Sequence, residues 1–113
     1  LEAVNSTTTK RIVGSIQNHD TLDFLRPDDV IEISCDLSRD GLKPVTPVKV
    51  PTAQKNMIAC VKEYERLAVA AILQQDKSLA VRALMAHPLI GSYSLAKTLV
   101  EAYLDDEQFA AWR

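Results

Sequence analysis

The sequence predicts an α+β domain, short N-terminal β-strands followed by three to four helices, and three observations carry that expectation. Apolar and polar residues alternate through residues 29–37, the period of a strand with one buried face. Beyond Pro51 the apolar spacing lengthens to near 3.6 residues, the period of one helix face. Between the two regimes lie Pro44, Pro47 and Pro51, which cannot donate to a sheet ladder and do not belong in a helix interior. The chain therefore reads as a single domain, with residues 1–10 a tail, 11–51 strands and turns, and 52–113 helices.

Taken in order, residues 11–17 (Arg-Ile-Val-Gly-Ser-Ile-Gln) are rich in β-branched side chains and suit a strand. Asn18, His19 and Asp20 follow, residues whose short polar side chains bond nearby backbone and favour turns. Ile31, Ile33, Cys35 and Leu37 then alternate with Glu32, Ser34 and Asp36, giving a strand with one wet face. Arg39-Asp40-Gly41 supplies a turn, and the Val and Pro alternation of residues 43–51 predicts an edge strand or an extended crossover.

Thr52 can cap a helix running to about residue 74, with Met57, Ile58, Val61, Tyr64, Leu67, Ala68, Ala71 and Ile72 on one face. Lys62, Glu63 and Arg66 fall on its polar side and read as a solvated stripe. Asp76 can cap a second helix over residues 77–86, which must stop at His87 because Pro88 disfavours helical geometry in the residue before it. Ser92 or Ser94 can cap a third through Leu104, and residues 106–112 form a short fourth turn carrying Phe109 and Trp112.

Composition narrows the function. The 113 residues carry 13 Lys and Arg against 15 Asp and Glu, a net charge of −2, so no basic field exists for a nucleic-acid backbone and none is expected as a partner. The apolar run at residues 67–73 is too short to cross a bilayer, so no membrane is expected either. Cys35 and Cys60 lie far apart without CxxC spacing, which fits a reducing cytoplasm rather than a disulfide framework or zinc knuckle. The first residues lack a basic segment followed by an apolar one, and lack an initiator Met, so the chain is expected to be a piece of something longer.

No constellation in the sequence carries self-contained chemistry. His19, His87, Cys35 and Cys60 have no close spacing that lets one element present two metal ligands. His87 is expected to bond free carbonyls at a helix end, and His19 to lie in a turn. Three glycines, Gly14, Gly41 and Gly91, make no phosphate-cradling loop, and no Gly-x-Ser-x-Gly elbow occurs. The adjacent pairs Asp28-Asp29 and Asp105-Asp106 suit helix starts and turns. Tyr64, Tyr93 and Tyr103 are too scattered for a base-stacking platform and belong to a core or its rim. No residue is assigned a catalytic, cofactor-binding or metal-binding role.

The helical half reads Tyr64-Glu65-Arg66-Leu67, Gln75-Asp76, Ala83-Leu84, His87-Pro88-Leu89, Ser92-Tyr93 and Ala96-Lys97. In order and spacing this resembles the C-terminal region of glycoside hydrolase family 4, the NAD- and manganese-dependent group that includes 6-phospho-β-glucosidases. The first half agrees more loosely, through Asn18-His19-Asp20-Thr21-Leu22, residues 25–33 and the Gly41 and Pro44 pair, so the resemblance spans roughly residues 11–104. The sequence departs from the family pattern at Asp20 and Gln75, where glycines are usual, and at Ala70, where a glutamate is common.

The resemblance implies a fold that is part of a lactate and malate dehydrogenase-like C-terminal domain. For the parent enzyme it implies hydrolysis of glycosides or 6-phosphoglycosides by oxidation at C3 with NAD, elimination of the aglycone and re-reduction, with Mn²⁺ assisting, outside the usual two-carboxylate scheme. The family's nucleotide loop, metal ligands and catalytic tyrosine precede this region, so none of those roles passes to Cys35, His19, His87 or Tyr64. The chain is then expected to hold no NAD or Mn²⁺ and to be inactive alone, packing its long helix against the remainder of the parent chain and supporting a homo-oligomer. A stand-alone protein-interaction module is the alternative. A complete small enzyme acting through His19 or His87 lacks any supporting constellation.

Overall fold

The computed structural model describes residues 8–112 and divides them into two compact units, one ending at Pro51 and one beginning at Thr52. The first unit is a three-stranded antiparallel sheet in the order β1-β2-β3, with β1 Lys10–Gln17, β2 Val30–Ser38 and β3 Gly41–Pro44. In the register Ile12 faces Cys35, Gly14 faces Ile33, Ile16 faces Ile31 and Leu42 faces Leu37, so the alternating apolar residues share one face. Ile31 and Cys35 are buried there, while Val13 and Val30 lie exposed on the other face.

The turn into β3 is two residues long and places Gly41 at φ +105, a backbone conformation that side chains rarely adopt. Gly14 is required for a different reason, since a Cβ at that position would lie 2.6 Å from Leu42 Cδ2 across the sheet. Pairing continues one residue past β3 through Val45 N–H donating to Ser34 C=O at 2.9 Å. Residues 46–51 carry no regular structure, so of the expected edge strand or extended crossover at 43–51 only residues 43–44 are strand, the end of a four-residue β3 that starts earlier, at Gly41.

The 18–29 connection between β1 and β2 is built around Asn18, whose side chain is fully buried. Its Oδ1 accepts Leu22 N–H at 2.8 Å, and its Nδ2 donates to Leu22 C=O at 3.0 Å, to Arg26 C=O at 3.1 Å and to Leu25 C=O at 3.4 Å. Asp29 closes the loop by accepting Arg26 N–H at 2.9 Å, the turn role expected of the Asp28-Asp29 pair.

The second unit contains α1 Thr52–Gln74, α2 Lys77–Ala86, α3 Tyr93–Tyr103 and a 3₁₀ turn at Glu107–Phe109. Small residues lie where the helices meet: Ala71, Ala83 and Ala96 are buried with Val100 and Leu104, and short side chains let the helix axes approach closely. Asp76 and Ser92 are the N-caps, accepting Leu79 N–H at 3.0 Å and Leu95 N–H at 3.4 Å. Asp106 caps the 3₁₀ turn by accepting Gln108 N–H at 3.0 Å. Thr52 is the first helical residue of α1 rather than a cap ahead of it.

On the expected apolar face of α1, Met57 and Ile72 are 62% and 63% exposed. With α1 spanning about 34 Å and α2 about 15 Å, α2 does not reach Met57, while Ile72 lies beside the junction of the two helices. One reading of α1 is corrected, since its charges are not a plain solvated stripe. Lys62 pairs with Glu65 at 2.6 Å and Arg66 with Glu63 at 2.7 Å, yet both cationic side chains are largely covered while the two glutamates are about half exposed. Long aliphatic stems lie along the helix surface with their charged heads at its edge.

Candidate functional site

Each junction in the helical unit is fixed by a few backbone groups. At the end of α1, Gln75 takes φ +53, Asp76 N–H donates to Ala71 C=O at 3.1 Å, and Gln75 N–H to Ile72 C=O at 3.3 Å. These are the two bonds of a Schellman closure with a glutamine at the left-handed position. Asp76 then starts α2, so one residue ends a helix and begins the next. At the other end of α2, His87 N–H donates to Leu84 C=O at 3.1 Å and His87 adopts extended backbone geometry ahead of Pro88, as the sequence requires.

His87 acts differently from the expectation that it would bond free carbonyls. Its Nδ1 accepts the N–H of Leu89 at 3.2 Å, because Pro88 turns the chain so that the next N–H, rather than a carbonyl, points back at the ring. The imidazole meets Tyr64 of α1 edge to face, with ring centroids 4.8 Å apart and planes at 90°. Accepting at Nδ1 places the ring proton on Nε2.

Tyr64 is also one wall of an apolar groove of about 610 Å³ within the helical unit. Ala71 and Ala83 line it with Val100, and so do the Tyr103 and Phe109 rings, whose centroids are 5.7 Å apart. Tyr103 is 75% exposed. No charged side chain among the described residues lines the groove. Ligand pockets ordinarily orient a small molecule with a few convergent polar groups. An apolar concavity lacking them is suited to covering by another protein surface.

The other sequence candidates are dispersed. His19 lies in the turn after β1 at φ +49, its N–H donating to Pro27 C=O at 2.8 Å. Cys35 is buried in β2 and Cys60 is exposed on α1, both as free thiols. Tyr93 is exposed at the start of α3. Among the described residues no group of three or more His, Cys, Asp or Glu side chains is arranged to hold a metal ion. No described helix is long and apolar enough to cross a membrane. Sequence reading missed the groove, which depends on how three helices meet, and missed the full burial of Asn18, which no local pattern signals.

The pattern of the family 4 glycosyl hydrolase C-terminal domain matches residues 1–90. The chain belongs to this family. It is 34% identical over 93 residues to the 6-phospho-beta-glucosidase BglT of Thermotoga maritima, covering 82% of this chain and 22% of that protein. A probable 6-phospho-beta-glucosidase of Bacillus subtilis is 25% identical over 88 residues, covering 78% of this chain and 20% of that one. The chain thus spans about a fifth of the length of these curated relatives.

Solved family 4 structures agree with the fold. The Thermotoga maritima 6-phospho-beta glucosidase, determined with manganese, NAD⁺ and glucose-6-phosphate, superposes with a TM-score of 0.80 at 29% identity, covering 94% of this chain and 26% of that one. A 6-phospho-alpha-glucosidase from gut microorganisms, determined with NAD and glucose-6-phosphate, gives a TM-score of 0.83 at 22% identity over 99% of this chain and 25% of that one, a likeness of fold. The α+β architecture of strands followed by helices is therefore that of the family's C-terminal domain, and it extends beyond the matched residues into α3.

Proposed function

We propose that this chain is the C-terminal structural part of a family 4 glycosidase that hydrolyses glycosides or 6-phosphoglycosides by NAD-dependent oxidation and elimination in the cytoplasm. NAD and Mn²⁺ supply the redox and Lewis-acid chemistry in the parent, and by itself this chain hydrolyses nothing and binds neither. Its role is to pack the apolar groove of α1 to α3 against the remainder of the parent chain and to support a homo-oligomer. The observation that carries this reading is the 610 Å³ groove, uncharged, walled by aromatic rings and open at the exposed Tyr103, in a chain that belongs to the family.

The test is the mass of the product of the native gene, with an assay on that product for cleavage of a chromogenic 6-phospho-β-glucoside. A product about four times this length, active with NAD and Mn²⁺ and inactive without either, supports the proposal. A native product of this size without activity makes the chain a stand-alone interaction module that uses the same groove. Self-association of the 113-residue chain through the groove is also expected, and replacing Tyr103 by Lys should suppress it.

A further inference from the structure

Another concavity of the helical unit differs in chemistry from the apolar groove. It is a groove of about 220 Å³ between α2 and α3, with Lys77 and Arg82 on one side, Lys97 on the other, Ser78 and Tyr93 supplying hydroxyls, and the buried Val100 in its floor. All three cations are exposed. Lys97 reaches Glu101 at 3.7 Å, whereas Lys77 and Arg82 have no acidic partner among the described residues. Glu101 is the one acid in the lining, which leaves the groove a net charge of +2 in a chain whose total is −2.

The chain also carries the complement. Asp105, Asp106 and Glu107 are three consecutive acids at the corner after α3, all exposed, and none forms an ion pair among the described residues. Asp106 uses one carboxylate oxygen to cap the 3₁₀ turn, which holds the corner in a fixed shape. The acidic corner and the basic groove are complementary in charge, so each can meet its opposite on a second copy of the chain.

We propose that the α2–α3 groove of one copy receives the Asp105–Glu107 corner of a second copy, as the charged half of the homo-oligomer contact. This rests on the self-association in the reading above but uses a different surface. Isolated exposed ion pairs contribute little, so the contact depends on several charges acting together over an apolar floor and on weak ionic screening.

The experiment is sedimentation velocity on the 113-residue chain at low and high salt, with two charge-reversed variants. Arg82→Glu with Lys97→Glu reverses the groove, and Asp105→Lys with Glu107→Lys reverses the corner. The parent is expected to associate at low salt and to weaken by about tenfold as salt rises past the range where charges act over some 10 Å. Each variant alone is expected to associate at low salt more weakly than the parent, down to what the apolar groove supports, and an equimolar mixture to regain the parent's association as a heterodimer, since each reversed surface then meets its opposite. Variants that associate as well as the parent, or a mixture that associates no better than either variant alone, overturn the proposal. Association that survives high salt and both reversals, but is lost in Tyr103→Lys, assigns the contact to the apolar groove alone and also overturns it.

Discussion

Asn18 holds Leu22 by both of its backbone groups, accepting the N–H at 2.8 Å on Oδ1 and donating to the C=O at 3.0 Å from Nδ2. The same amide donates to Leu25 and Arg26 carbonyls with no exposure to solvent. Asn18→Ala leaves several buried backbone groups without a partner and should lower stability by about 3 kcal/mol. Asn18→Asp should fare no better, because a carboxylate cannot donate to the three carbonyls. Urea denaturation measures both, as a fall in midpoint at unchanged slope.

Gln75 stands at a left-handed position, φ +53, inside an otherwise regular helix closure. Gln75→Gly removes the steric cost of that conformation and keeps both closing hydrogen bonds, so it should stabilise the chain by about 0.5–1 kcal/mol despite the greater freedom of glycine when unfolded. A rise in urea midpoint checks this. A fall would mean that the glutamine side chain, rather than the backbone, supports the junction.

His87 accepts the N–H of the residue two positions on, a pattern that an asparagine oxygen reproduces in an Asx turn. His87→Ala should lose about 1 kcal/mol of hydrogen bond together with the edge contact with Tyr64, and His87→Asn should retain the hydrogen-bond share and lose only the ring contact. Nitrogen chemical shifts of the imidazole give a separate check. They should report Nδ1 as the unprotonated nitrogen of the neutral ring.

Arg11 and Asp36 face each other across β1 and β2 and form a two-pronged pair, Nε to Oδ1 at 3.0 Å and Nη2 to Oδ2 at 3.2 Å. The hydrogen bond from Arg11, with its charge, holds the Asp36 carboxyl below its ordinary value against an opposing effect of desolvation. A carboxyl whose folded-state value is depressed adds stability that is complete above its unfolded value and is lost as pH falls through the folded one. Arg11→Met should accordingly narrow the stability difference between neutral and strongly acidic solution. Urea midpoints at the two pH values for both chains measure it, and parallel pH curves would count against it.

Much of this architecture is legible in single residues. Ile31 to Leu37 announce their strand through a period of two, Asp76 announces α2, and His87-Pro88 sets its end to the residue. These features are local, fixed by φ restriction or by a side chain that reaches three residues along. Asn18, the crossing alanines and the groove answer to contacts between segments distant in sequence, and no single-residue preference encodes them. The apolar stripe on α1 is legible as a face and not as a buried area, since periodicity reports which side is apolar and not how far a shorter neighbour reaches along it.

The placement of the two thiols makes each unit separately addressable. Cys60 is open on α1, while Cys35 is buried at the centre of the sheet with its S–H donating to Ile33 C=O at 3.4 Å. A reagent that modifies cysteine caps Cys60 at once and then waits for the strands to part. The rate of the slow second modification is a clock for opening of the sheet unit, readable by mass spectrometry without any engineered label.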